Sequence, residues 1–191
     1  MPRLFTAIEV PETIGTRLSL IRGNLPGARW VDKETYHLTL TFAGDADGHQ
    51  MRAFSDALNE IATEPFPLTV DGLGVFGGDR PRTLYAAIRP ERLLDDLQRD
   101  TDLAARRAGI SVEARKYTPH ITLARLSGTS ARMAAEVLEH MGSLELPPFV
   151  ATRFVLMSSK PGGGGPYAVE EAFDLGGIDY SEEAEAWDEH D

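Results

Sequence analysis

Two histidines in this 191-residue chain are each followed by threonine and leucine at the second and third places after them. They are His37-Leu38-Thr39-Leu40 and His120-Ile121-Thr122-Leu123. Both tetrapeptides sit in strand-like surroundings, and side chains along a strand alternate between its two faces. His37, Thr39 and Thr41 then share one face while Leu38 and Leu40 take the other. His120 and Thr122 likewise oppose Ile121 and Leu123. Four polar side chains without partners are costly in an apolar core, so their face should line a groove. An imidazole accepts or donates a proton near neutral pH. A threonine hydroxyl can hydrogen-bond an oxyanion as charge builds on it. Two of each points to acid–base chemistry on a substrate carrying an oxyanion.

The competing readings are weaker. A pair of satisfied strand histidines would not need the threonine repeated at the same spacing. A zinc site wants a third ligand, and neither motif offers His-x-x-x-His or a carboxylate at usable spacing; threonine itself is a poor zinc ligand. Of the other three histidines, His49 and His140 fall on helical segments and His190 lies in the tail, so surface positions explain them.

The elements around the motifs recur. "LFTAI" at 4–8 returns as "LYAAI" at 84–88, and each precedes a helical segment and then a histidine strand. Two similar units with this order would set equivalent strands beside a shared central groove. Helices are expected from Pro11-Glu12 to about residue 23, and over 47–62, 90–108 and 130–141. The third carries Leu93, Leu94, Leu97, Leu103 and Ala104 and is stopped by Gly109. Strands are expected over 3–9, 28–31, 36–42, 66–76, 83–89, 119–125, 149–157 and 167–174. "GGDRPR" reads as a turn. "KPGGGGP" at 160–166 lacks the Lys-Ser/Thr ending of a nucleotide-binding loop and reads as a hairpin connection.

Composition bounds the function. Hydrophobic residues at 42% suit a globular protein. No apolar run is long enough to span a bilayer, and "MPRLFTAIEV" lacks the apolar core of a secretory signal. Cysteine is absent, which rules out disulfides and thiolate zinc sites. A soluble cytoplasmic domain is expected. The formal charge of −11 is uneven: residues 179–191 hold seven acids and no Lys or Arg, leaving 23 acids against 19 bases elsewhere. That tail reads as a solvated extension. A mildly acidic body is a poor match for long nucleic acid. An RNA substrate would be gripped over a short piece or an end, by a local cluster of basic side chains.

"HLTL" at 37–40 and "HITLAR" at 120–125, in similarly ordered halves, resemble the 2H phosphoesterase superfamily, and within it the RNA 2′,3′-cyclic phosphodiesterases, historically called 2′-5′ RNA ligases. The resemblance covers roughly residues 3–176. It implies an α/β (α+β) fold, bilobal and duplicated, with two mostly antiparallel sheets and outer helices around a central cleft. One domain would cover 1–178, with 179–191 as a tail. The implied activity is metal-independent hydrolysis of RNA 2′,3′-cyclic phosphate ends to 2′-phosphomonoesters, with no cofactor. The implied substrate is a short RNA or nucleotide with a cyclic phosphate end, bound by a monomer away from any membrane. The catalytic set would be His37 as acid, His120 as base, with Thr39 and Thr122; reverse ligation would use the same site.

Arg125 matches the family's arginine and could bind phosphate, and Phe42 matches an aromatic that in relatives can stack on a base. Strict alternation counted from the histidines nevertheless puts both on the core-facing side, where Arg125 fits only if the strand has ended or bulged. Lys33, Arg115 and Lys116 precede the motifs and could form a positive rim. The rival readings are another cyclic nucleotide or an RNA 3′ end as substrate, and a non-catalytic module that binds RNA ends or nucleotides.

Overall fold

The computed structural model describes residues 1–114, 116–140, 144, 146–160 and 166–176. The glycine run at 162–165, Arg115 and the acidic tail lie outside these residues. Ten strands and four helices alternate along the described chain. The first half runs β1 (Arg3–Glu9), α1 (Glu12–Ser19), β2 (Ala28–Trp30), β3 (His37–Asp45) and α2 (Gly48–Asn59). Then come β4 (Phe66–Leu68), β5 (Val70–Phe76), β6 (Thr83–Ile88), α3 (Arg92–Arg107) and β7 (His120–Leu126). The chain finishes with α4 (Ala131–His140), β8 (Phe149–Ala151), β9 (Arg153–Ser159) and β10 (Tyr167–Asp174). The expected strands at 66–76 and 149–157 are each two strands. In each case the short first strand leaves for a separate pair, β4 with β8.

The helices stop and start where their end groups are satisfied. Asp47 caps α2 by accepting from the backbone N–H of His49 and Gln50, and the Gln50 side chain accepts from the Asp47 N–H in return. Glu91 accepts from Leu93 and Leu94 at the start of α3. At its end Gly109 adopts φ +75°, and the N–H groups of Gly109 and Ile110 reach back to the carbonyls of Arg106 and Ala105. That is a Schellman ending, and it needs the positive φ that glycine tolerates. Leu94, Leu97, Thr101, Ala104 and Ala105 form the buried stripe of α3. Leu103 falls off this stripe and is exposed, so it is not part of the apolar face its sequence neighbours suggested.

The other eight strands form one antiparallel sheet along β10-β9-β1-β3-β7-β6-β5, with β2 also paired to β7. Its two parts meet through a single backbone pair, Leu38 of β3 with Ile121 of β7. The strands then diverge: β7 turns its remaining edge to β2, with Trp30 facing Ala124 and Ala28 facing Leu126. Leu38, Leu40, Ile121 and Leu123 point into the main core with Leu94 and Leu97 of α3 and Phe54 and Leu58 of α2. The opposite face of the central strands carries the histidines.

Alternation breaks at the leucine of the motif in each motif strand, and β3 breaks it a second time at Ala43, near its end. Ala7 faces Thr39 and Thr6 faces Thr41, so Leu40 is an extra residue against β1. Tyr85 faces Thr122 and Leu84 faces Ala124, so Leu123 is extra against β6. A bulge inverts the face of every residue after it. Leu40 and Thr41 are consecutively buried, as are Leu123 and Ala124, and the next residues, Phe42 and Arg125, emerge exposed. The core-facing placement expected from strict alternation is therefore wrong for both. The ladders also show that "LYAAI" is displaced by two residues from "LFTAI": Tyr85 occupies the place of Ala7. An even slip preserves the face, so Phe5 and Tyr85 both project toward the histidines.

The orientation of α3 makes a direct prediction. Leu97→Ala should lower unfolding free energy by about 2–5 kcal/mol in urea titrations, whereas Leu103→Ala should change it by less than about 0.5 kcal/mol. Equal losses would mean that α3 turns a different face to the sheet.

Candidate active site

The pair Leu38–Ile121 organises the site. In an antiparallel pair, the neighbours of directly opposed residues are themselves opposed. His37 therefore lies beside Thr122, and Thr39 beside His120, all four on the face away from the core. They line a cleft of about 710 Å³. His37, Thr39, His120 and Thr122 are each partly accessible to it.

Each imidazole is held in the same way. His37 Nδ1 lies 2.8 Å from the carbonyl of Thr35, and His120 Nδ1 lies 2.7 Å from the carbonyl of Thr118. A carbonyl only accepts, so both Nδ1 atoms carry hydrogen, and proton exchange falls to Nε2. The bend before each strand supplies these carbonyls: a 3-10 turn at Lys33–Thr35 precedes β3, and Pro119 precedes β7. Aromatic rings flank both histidines. Phe5 and Tyr167 each have ring centroids 5.2 Å from that of His37. Phe76 and Tyr85 stand 4.8 and 5.4 Å from His120, and stack on each other at 4.1 Å. Gly74 makes room for this arrangement, because a Cβ there would fall 2.4 Å from Tyr85 Cζ.

Burial among the rings holds the His37 imidazole below the ordinary histidine value. The Thr35 carbonyl works in the opposite direction, and positive charge on His120 and Arg125 adds to the lowering. Tyr117 completes the frame: its hydroxyl donates to the Thr39 carbonyl at 3.0 Å. Burial, then the negative charge of Asp95 and Asp102, pushes that phenol well above its usual range, so it remains a neutral donor.

The two ends of the cleft differ. Because β3 and β7 run in opposite directions, Phe42 and Arg125 lie at opposite ends. Arg125 Nη1 donates to Thr83 Oγ1 at 3.2 Å, beside Arg82. At the other end stand Phe42, Gln98, Asp102 and Lys116. Arg3 covers one face of the Phe42 ring, with its guanidinium carbon 4.9 Å from the centroid.

All six residues singled out in the sequence thus line one cleft, as does Lys116, whereas Lys33 reaches away to Thr16 Oγ1 at 3.3 Å. Missed in the sequence were Arg82, Tyr117 and the four flanking rings. Phe5 and Tyr85 were within reach of it, as the aromatic second residues of the two repeated pentapeptides. Among the described residues no three His, Asp or Glu side chains converge as a metal-ligand set, and no helix is long and apolar enough to cross a membrane.

The model of the family described as LigT-like phosphoesterase matches residues 8–85 and again 88–167, each stretch holding one motif. A Bacillus subtilis protein named RNA 2′,3′-cyclic phosphodiesterase is 38% identical over 130 residues, covering 65% of this chain and 71% of that one. A protein of the same name from Methanothermobacter thermautotrophicus is 29% identical over 182 residues, covering 91% and 98%. Among solved structures, Escherichia coli LigT in its apo form superposes with a TM-score of 0.73 at 27% identity, covering 91% of this chain and 98% of that one. E. coli LigT has also been crystallised with 3′-AMP, with the same TM-score of 0.73 at 26% identity. A phosphoesterase family whose model spans most of the chain, relatives that share its length, and a fold that superposes on theirs leave one assignment: this chain is a member of the LigT-like phosphoesterases of the 2H superfamily, a family of enzymes.

Proposed function

We propose that the chain hydrolyses 2′,3′-cyclic phosphates, on RNA 3′ ends or nucleotides, to 2′-phosphomonoesters without a metal ion. One observation carries this reading: the diagonal of two imidazoles and two threonine hydroxyls across the Leu38–Ile121 pair, each Nδ1 tied to a carbonyl. The names of the relatives supply the substrate class. We read residues 1–178 as one bilobal domain whose halves each lend one motif.

In the reaction, water attacks phosphorus in line with the departing 3′ oxygen. Nε2 of one histidine takes the proton of the water, and Nε2–H of the other donates to the leaving oxygen. With His120 as base and His37 as acid, the product keeps phosphate on the 2′ oxygen. Thr39 and Thr122 hydroxyls donate to the non-bridging oxygens, where negative charge builds. Arg125, anchored on Thr83, is placed to add positive charge beside the phosphate.

The lowered His37 value suits a site that waits for an anion. An imidazole biased toward its neutral form by burial among the rings and by the nearby Arg125 guanidinium takes up a proton more readily when a phosphate arrives beside it.

The test is turnover of a short RNA ending in a 2′,3′-cyclic phosphate, in the presence of EDTA. His37→Ala and His120→Ala should each lose about 10²–10⁴-fold in kcat, and Thr39→Val and Thr122→Val about 10²–10³-fold. Wild type should release the 2′-monophosphate at an undiminished rate. Loss of activity in EDTA, or a 3′-monophosphate product, would reject this chemistry.

The titration has a definite sign. By NMR, His37 in the free protein should titrate below the ordinary histidine pH, and Arg125→Gln should move it upward by removing a repelling charge. A bound 2′-nucleotide should also move it upward. As the acid it must be protonated, so kcat/KM should fall as pH rises through the free-protein His37 midpoint, and kcat at a higher pH. A His37 midpoint unmoved by nucleotide would separate this residue from the phosphate.

A further inference from the structure

The Phe42 end of the cleft presents a puzzle in charge. On the reading above the ligand carries an anion, and the far end answers with Arg82 and Arg125, yet the near end sets the carboxylate of Asp102 beside the cation of Lys116. Its Oδ1 accepts from Thr41 Oγ1 at 2.5 Å, which pins the carboxylate one residue from Phe42. Thr41 is in turn packed against Thr101, with the two hydroxyls 2.8 Å apart. Among the described residues Asp102 makes no ion pair. A carboxylate held in place beside a phosphate site should face a part of the ligand that donates hydrogen bonds.

The surroundings say which part. Phe42 is 49% exposed on the cleft side, and Arg3 covers its ring from one face. The free face is a platform for a nucleobase. A base lying there turns an edge toward α3, where Gln98 and Asp102 stand one helical turn apart and both line the cleft. A carboxylate accepts two hydrogen bonds side by side. Guanine matches it best, because its N1–H and N2–H₂ are adjacent donors on one edge. Adenine and cytosine each offer one exocyclic amine on that edge, and uracil only an N3–H between two carbonyls that a carboxylate repels. The Gln98 amide can donate to the guanine O6 that flanks N1.

We propose that Asp102, supported by Thr41 and Gln98, selects the nucleobase that carries the cyclic phosphate, favouring guanine and disfavouring uracil. This rests on the phosphodiesterase reading above. Asp102 contacts the base in this arrangement and takes no part in proton transfer.

The experiment compares kcat/KM for the 2′,3′-cyclic phosphates of guanosine, adenosine, cytidine and uridine, in wild type and in Asp102→Asn. Wild type should prefer guanosine over uridine by roughly tenfold or more, the scale of one bidentate contact to a base edge. Asp102→Asn keeps an acceptor for Thr41 but loses one of the two acceptors for guanine, so the guanosine-to-uridine ratio should collapse toward one. The uridine rate should rise, because no carboxylate then faces the two uracil carbonyls. Gln98→Ala should reduce the ratio in the same direction, by less, and provides the check if Asp102→Asn lowers the melting temperature. A flat wild-type profile would overturn the proposal, and so would an equal fall on all four substrates in Asp102→Asn, which is what a purely structural Thr41–Asp102 contact predicts. If none of the four compounds is turned over, the phosphodiesterase reading fails instead.

Discussion

A single antiparallel residue pair holds the site together. Leu38 and Ile121 meet at the point where two strand groups join, and their side chains are fully buried under α2 and α3. Burying them turns their neighbours outward, so the same packing that stabilises the core presents two histidines and two threonines on the other face. A slip of one residue in either strand would bury the polar set and expose the leucines. The core penalty for that slip is what protects the geometry of the cleft. Tyr117, by bonding to the Thr39 carbonyl, adds a second tie across the same junction.

The bulges at Leu40 and Leu123 use that junction in both directions. Each keeps its leucine in the core while rotating the residue two places later into the cleft. Without them, Phe42 and Arg125 would be wedged among leucines, where a guanidinium has no solvation and few partners. Because β3 and β7 are antiparallel, two equivalent bulges deliver their side chains to opposite ends. A nearly symmetric frame thereby holds an asymmetric site, with Arg125 and Arg82 at one end and, at the other, an Arg3-covered aromatic ring with Asp102 and Lys116.

The two imidazoles are supported in the same way, and burial biases His37 toward its neutral form. Both are fixed through Nδ1 and flanked by two rings; burial lowers the His37 value, and the charges of His120 and Arg125 add to that lowering. In the proposed mechanism His37 must be protonated to act as the acid, so this bias runs against its role in the free protein. The phosphate of the proposed substrate brings negative charge that opposes this bias.

The sequence by itself determined the periodicities: which faces of the motif strands are apolar up to their leucines, where Gly109 stops α3, and that two His-x-Thr-Leu motifs share one spacing. These are local properties, decided by side-chain type and spacing along one segment. The positions of Phe42 and Arg125, the rings around the histidines, and the meeting of Asp102 with Thr41 were decided by the tertiary structure. Each depends on a bulge or on packing between segments far apart in the chain, as Tyr167 to His37 and Thr41 to Asp102 illustrate. A bulge leaves little trace in composition, because it arises when one strand must follow its neighbour's ladder while keeping its own leucines buried. That competition exists only once the strands are side by side.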